Sequence, residues 1–173
     1  MKPIAFMARC QRKTIQEQYE LGVRCFDLRV RFDNDRYPVF CHGIVEYDAD
    51  YDKVHEDLKW INGKTNCYVR VLHEVRNERQ MTEIEKEDFY YVCYEMTRCY
   101  RNIKFWCGRN LCNWEMDYDF GFYPTCEEKY SSVCPPRIVD DWWPWLYARL
   151  HNGKIREQGT GKDILLIDYV DIK

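Results

Sequence analysis

Between Gly22 and Phe32 the chain alternates. Cys25, Asp27 and Arg29 share one face of an extended strand, and Phe26, Leu28 and Val30 share the other. Asn34-Asp35 reads as a turn, and Pro38 to Cys41 returns as a second short strand that delivers His42 and Gly43 at its end. Ahead of this hairpin, residues 14 to 21 read as a helix. Thr14 is its N-cap, Glu17 completes a capping box three positions on, and Gly22 closes it. A first short strand is expected at 4 to 8.

Further along, Tyr51, Val54, Leu58 and Ile61 recur at helical spacing, and Asn62-Gly63 ends that segment. Residues 67 to 75 form the next strand, with Val69, Val71 and His73 on the face opposite Tyr68, Arg70, Leu72 and Glu74. A long helix is expected over 81 to 100, with Thr82 and Glu85 as its capping box and Ile84, Phe89, Val92 and Met96 turned to a core. A strand at 103 to 106, a weaker one at 114 to 120 and a loop over 121 to 136 follow. A helix is then expected from 138 to 150, stopped by Asn152-Gly153, and a closing strand from 163 to 170. Strands alternating with helices imply an α/β domain with a largely parallel sheet. Neither a Gly-x-Gly-x-x-Gly nor a Walker sequence is present, which favours a barrel over a nucleotide-binding sheet.

The 173 residues suit one domain, taken as 1 to 173. A formal net charge of −3, with Lys and Arg interspersed among acids, excludes the clustered basic face of a nucleic-acid binder. No apolar run is long enough to span a membrane and none resembles an export signal, so a cytoplasmic protein is expected. Its ten cysteines are then mostly free thiols. Their spacings, such as Cys107 to Cys112 and Cys126 to Cys134, do not suit a zinc knuckle. Trp142, Trp143 and Trp145 are read as core residues, with a cleft rim or a peripheral membrane contact as the alternatives.

An acid and a base projecting from one face of an apolar strand, with an imidazole at the end of the next, suit a phosphate site. The guanidinium fork matches phosphate oxygens, and a histidine passes protons to a leaving oxygen. Asp27 and Arg29 are equally consistent with a buried ion pair. Glu74 and Asp168, each at the C-terminal side of an apolar strand, are further acids for such a site, whereas His55 and His151 are read as structural.

The run Gln11-x-x-x-Ile15-x-Glu17-Gln18-x-x-x-Gly22-Val-Arg24-Cys-Phe-Asp27-Leu-Arg29, followed by His42-Gly43, resembles the X-domain of phosphatidylinositol-specific phospholipase C. Weaker correspondences lie at 67 to 76 and 163 to 171. The resemblance implies a TIM-type (β/α) barrel, here small, irregular or reduced, because a typical barrel takes roughly 250 residues. It implies a phosphoric diester hydrolase or lyase whose ligand is a phosphodiester or an inositol phosphate. His42 matches the general acid, Arg29 the phosphate-contacting residue and Asp27 the neighbouring acid at the inositol-facing floor. Glu74 matches the acid of the following strand, and Asp168 the acid that orients the first catalytic histidine. Arg29 stands where the calcium-independent relatives carry Arg, so neither calcium nor another cofactor is expected.

The segment Pro3-Ile-Ala-Phe-Met-Ala-Arg-Cys-Gln11 holds no histidine where the family places its general base. His73 or Glu74 takes that role, or the chain begins downstream of it, or the barrel is inactive and binds a phosphorylated ligand. Arg9 is then a candidate second phosphate-binding cation. A metal-dependent glycerophosphodiester phosphodiesterase is the third reading.

Overall fold

The computed structural model describes residues 11–42, 45–47, 51–74, 82–109, 118–119, 130–131, 144–158, 164–165 and 169–172. The strand expected at 4 to 8, Arg9, Trp142, Trp143 and Asp168 lie outside them. The chain packs as two compact units, one of residues 1–23 with 124–173 and one of residues 24–123.

The first unit opens with α1 (Ile15–Glu20). Thr14 Oγ1 accepts from Glu17 N at 3.2 Å while the Glu17 carboxylate accepts from Thr14 N at 2.9 Å, the reciprocal capping box expected from the sequence. Gly22 leaves the helix at φ +99°, a conformation that a side chain would oppose. The same unit contains α4 (Pro144–Gln158) and a two-stranded parallel ladder, β7 (Tyr130–Ser131) with β8 (Ile164–Leu165). α4 runs past the expected end at 150, with Asn152-Gly153 inside it and Pro144 in its first described turn; the part expected at 138 to 143 lies outside the described residues. Proline is tolerated in a first helical turn, where its missing N–H has no intrahelical partner. Asn152 acts at long range: its Nδ2 donates to the Tyr169 and Ile172 carbonyls at 3.2 and 3.1 Å. Arg156 donates to the Ile172 and Val170 carbonyls at 2.6 Å, and Arg12 pairs with Asp171 at 2.5 Å. Residues 169–172 are thus a turn held by α4, where a strand was expected to run on to 170. Trp145, half-buried on α4, lies under the Arg149 guanidinium at 5.5 Å.

The second unit is a mixed sheet with two helices. Its strands are β1 (Cys25–Phe32), β2 (Pro38–His42), β3 (Val45–Glu46), β4 (Cys67–His73), β5 (Ile103–Arg109) and β6 (Tyr118–Asp119), in the order β3-β2-β1-β4-β5-β6. β1, β4 and β5 are parallel neighbours, and the short β2, β3 and β6 pair antiparallel outside them. The α2 (Tyr51–Asn62) and α3 (Glu83–Cys99) crossovers supply the length that parallel pairing requires. Over the described residues the α/β sheet is open, with β3 and β6 at its edges, where a small, irregular or reduced barrel was expected. Closure needs further tilted strands between the two edges, and among the described residues the parallel ladder has three members.

The register Phe26↔Val69, Leu28↔Val71, Val30↔His73 and Val69↔Phe105 lines up one apolar face. Val30, Val69 and Val71 are fully buried there, together with Phe89, Cys93 and Met96 of α3. The Phe40 ring stacks on Tyr51 of α2 at 6.0 Å, so both helices cover this face. α3 starts at a second capping box, Thr82 with Glu85. At the other end of α3, Tyr100 Oη donates to the His55 carbonyl at 3.2 Å and makes a short contact with His55 Nδ1. The Tyr51 ring meets His55 edge-on at 4.4 Å, and burial pushes its phenol up to about 12. The described cysteines are free thiols, and no described helix is long and apolar enough to cross a membrane.

Burial holds the His55 pKa below its ordinary 6.5, although Asp52 pulls the other way. The unfolded chain therefore binds a proton near pH 6.5 that the folded chain refuses, so the His55 contribution is present above that pH and lost as the solution is acidified. Calorimetric melting between pH 7 and pH 5 is expected to show a fall in Tm that is smaller in His55→Gln. Equal falls in the two proteins would remove His55 from the account.

Candidate active site

The other face of the second unit's sheet is polar. The parallel register Asp27↔Arg70 and Arg29↔Leu72 carries Asp27, Arg29 and Arg70 to one side, and Arg31 continues the row along β1. From the antiparallel partner, Val30↔Phe40 puts Cys41 opposite Arg29, and Cys41↔Glu46 brings Glu46 to the same side. Glu74 follows β4 by one residue. Its N–H donates to the Val30 carbonyl at 2.7 Å, which extends the ladder and sets the carboxylate beside Arg29.

Arg29 sits between two acids. Its Nε donates to Asp27 Oδ2 at 3.2 Å and its Nη1 to Glu74 Oε1 at 3.3 Å. Arg70 Nε stands 3.8 Å from the other Asp27 oxygen, and Arg31 Nε stands 3.3 Å from Glu46 Oε1. Glu74, Arg70 and Arg31 are buried, whereas the Arg29 and Asp27 side chains keep 26% and 22% of their surface open. The mostly buried ionic cluster is thus open at two places, the Asp27–Arg29 pair and Glu46. Three guanidinium groups meet three carboxylates, a formal charge balance that lets the Arg residues be buried at all. A phosphate approaching Arg29 competes with Asp27 and Glu74 for the same N–H donors.

Arg29, Asp27 and Glu74 are thus brought together. His42 is placed differently. It follows Cys41, so strand alternation turns it to the side of Phe40 and Val30, the face that α2 and α3 cover, where it is half-buried. His73 lies on that same covered face at 1% exposure, its ring stacked 5.7 Å from Phe32 and edge-on 5.5 Å from Phe89. Of the two residues considered as a substitute base, Glu74 is the one beside Arg29. Arg9 and Asp168 lie outside the described residues. Arg70 and Cys41 are members of the cluster that sequence reasoning did not select. The signal for Arg70 was its alternation with Glu74 on one strand face, which needed only the register with β1 to become a contact with Asp27.

Among the described residues no group of three His, Cys, Asp or Glu side chains is arranged to hold a metal ion. A cleft of about 420 Å³, lined by Lys64, Asn66, Asn102 and Lys104 among others, opens at the N-terminal ends of β4 and β5. Glu74 lies beyond the opposite end of β4.

No family model matches the chain, and no curated protein matches it either. Two solved structures of phosphatidylinositol-specific phospholipase C from Staphylococcus aureus are similar to part of it, each at 19% identity over 62% of this chain and 42% of the other. One contains an incorporated pentafluoro-Phe and superposes with a TM-score of 0.46, and the other, from work on membrane binding, with 0.41. The chain spans less than half the length of those two proteins.

Proposed function

We propose that this chain is a phosphodiesterase of the phosphatidylinositol-specific phospholipase C-like class. Arg29 contacts the phosphate and offsets charge that develops in the transition state. The resemblance gives His42 the protonation of the leaving oxygen, a role that requires a substrate reaching past the end of β2, since the two side chains leave the sheet on opposite sides. Asp27 and Glu74 hold the Arg29 guanidinium and face the headgroup. In the same reading β1, β4 and β5 are consecutive strands of a reduced (β/α) barrel, Asp168 and Arg9 orient and bind at its mouth, and calcium takes no part. The observation that carries the proposal is the part-exposed Arg29 guanidinium, held between two carboxylates on the polar face, in a segment whose residues follow the family pattern.

A second reading, a non-catalytic domain that binds a phosphorylated ligand, is favoured by the turn of His42 toward the helix-covered face. A chromogenic inositol phosphodiester separates the two. Turnover that survives a chelator is expected under the first reading. Turnover abolished by the chelator points to the metal-dependent glycerophosphodiester class instead. Calorimetric binding of an inositol phosphate without turnover establishes the second reading.

A further inference from the structure

We propose that Cys41 is a positioning residue for the Arg29 centre: its thiol proton is directed at Glu74 and fixes the carboxylate that in turn holds the guanidinium. The inference rests on the reading of Arg29 as the anion-contacting residue. Cys41 Sγ lies 3.7 Å from Glu74 Oε2 and 3.9 Å from the Arg29 carbonyl oxygen. One S–H proton serves only one of these acceptors at a time, and the carboxylate is the stronger because it is charged. The two Glu74 oxygens are thereby divided, Oε1 toward Arg29 Nη1 and Oε2 toward the thiol, so rotation of the carboxylate breaks both contacts.

Exposure decides whether such a weak donor matters. Cys41 is 3% exposed and Glu74 4%, so water does not compete for the carboxylate oxygen, and a hydrogen bond in this shielded place is stronger than at the surface. Burial, and after it the Glu74 charge, push the Cys41 thiol up to about 12. The sulfur keeps its proton throughout the neutral range and serves as a donor, not as a nucleophile.

Two measurements on the whole chain test this. In the infrared, the Cys41 S–H stretch, identified by its loss in Cys41→Ala, is expected at lower frequency than that of an unbonded thiol and to move up in Glu74→Gln. A band unmoved by Glu74→Gln overturns the assignment. In calorimetric titration with inorganic phosphate, Cys41→Ala is expected to bind about tenfold more weakly, as loss of about 1.4 kcal/mol of orientation implies. Cys41→Ser, which restores an O–H donor, is expected to recover most of that loss. Equal affinity in the wild type and both variants overturns the proposal. If the wild type binds no phosphate, the reading of Arg29 fails by itself, and the S–H band decides the Cys41 to Glu74 contact independently.

Discussion

His42→Ala is expected to lower turnover of a chromogenic inositol phosphodiester by about 10²- to 10⁴-fold, the range for a lost general acid. Arg29→Ala is expected to lower it by about 10²- to 10³-fold, as for a lost donor to developing charge. The pair is informative because the two side chains leave the sheet on opposite sides. If only Arg29→Ala reduces turnover, the leaving-group proton comes from another group, and Glu74, 3.3 Å from the guanidinium, is the next to substitute. If neither variant changes turnover, the site is elsewhere. Arg29→Lys is not expected to rescue, since an ammonium group cannot span Asp27 and Glu74 with one rigid fork. Removing Arg29 also takes the guanidinium away from the buried Glu74 carboxylate. Melting curves run on the same samples distinguish lost chemistry from lost fold.

Phe89→Ala is expected to cost about 3–5 kcal/mol in urea unfolding, the usual range for deleting a fully buried phenylalanine. The ring is 0% exposed and meets His73 edge-on, so it ties α3 to the C-terminal end of β4 on the apolar face. Truncation leaves a void beneath a helix whose other anchors, Cys93 and Met96, lie on the same stripe and cannot close over it without tilting α3. A cost below about 1 kcal/mol would mean that α3 does not pack on this face.

How much of this was legible beforehand depends on the range of the interaction involved. Both capping boxes were read from Thr-x-x-Glu spacing and are present at Thr14 and Thr82. The split of His73 from Glu74 was also legible, because alternation is a property of one strand: His73 went to the core and Glu74 to Arg29. α4 extends beyond its expected C-terminal end. The partners of Asn152 lie at 169 and 172, well beyond any local window. Asn34-Asp35 marks the turn, yet Asp33 organises it by accepting from the Asp35 and Tyr37 N–H groups, and Arg36 adopts φ 66°.

The sequence by itself determined the helices of the second unit, the two faces of β1 and the company of Asp27 with Arg29, because each follows from contacts within a few residues or from the fixed period of an extended chain. Only the tertiary structure decided that Arg70 and Cys41 join that pair, that His42 turns to the covered side and that the described sheet stays open. Those outcomes depend on which residues of distant strands lie opposite one another. A shift of one residue in that pairing exchanges every side chain between the two faces, and no local pattern sets the pairing.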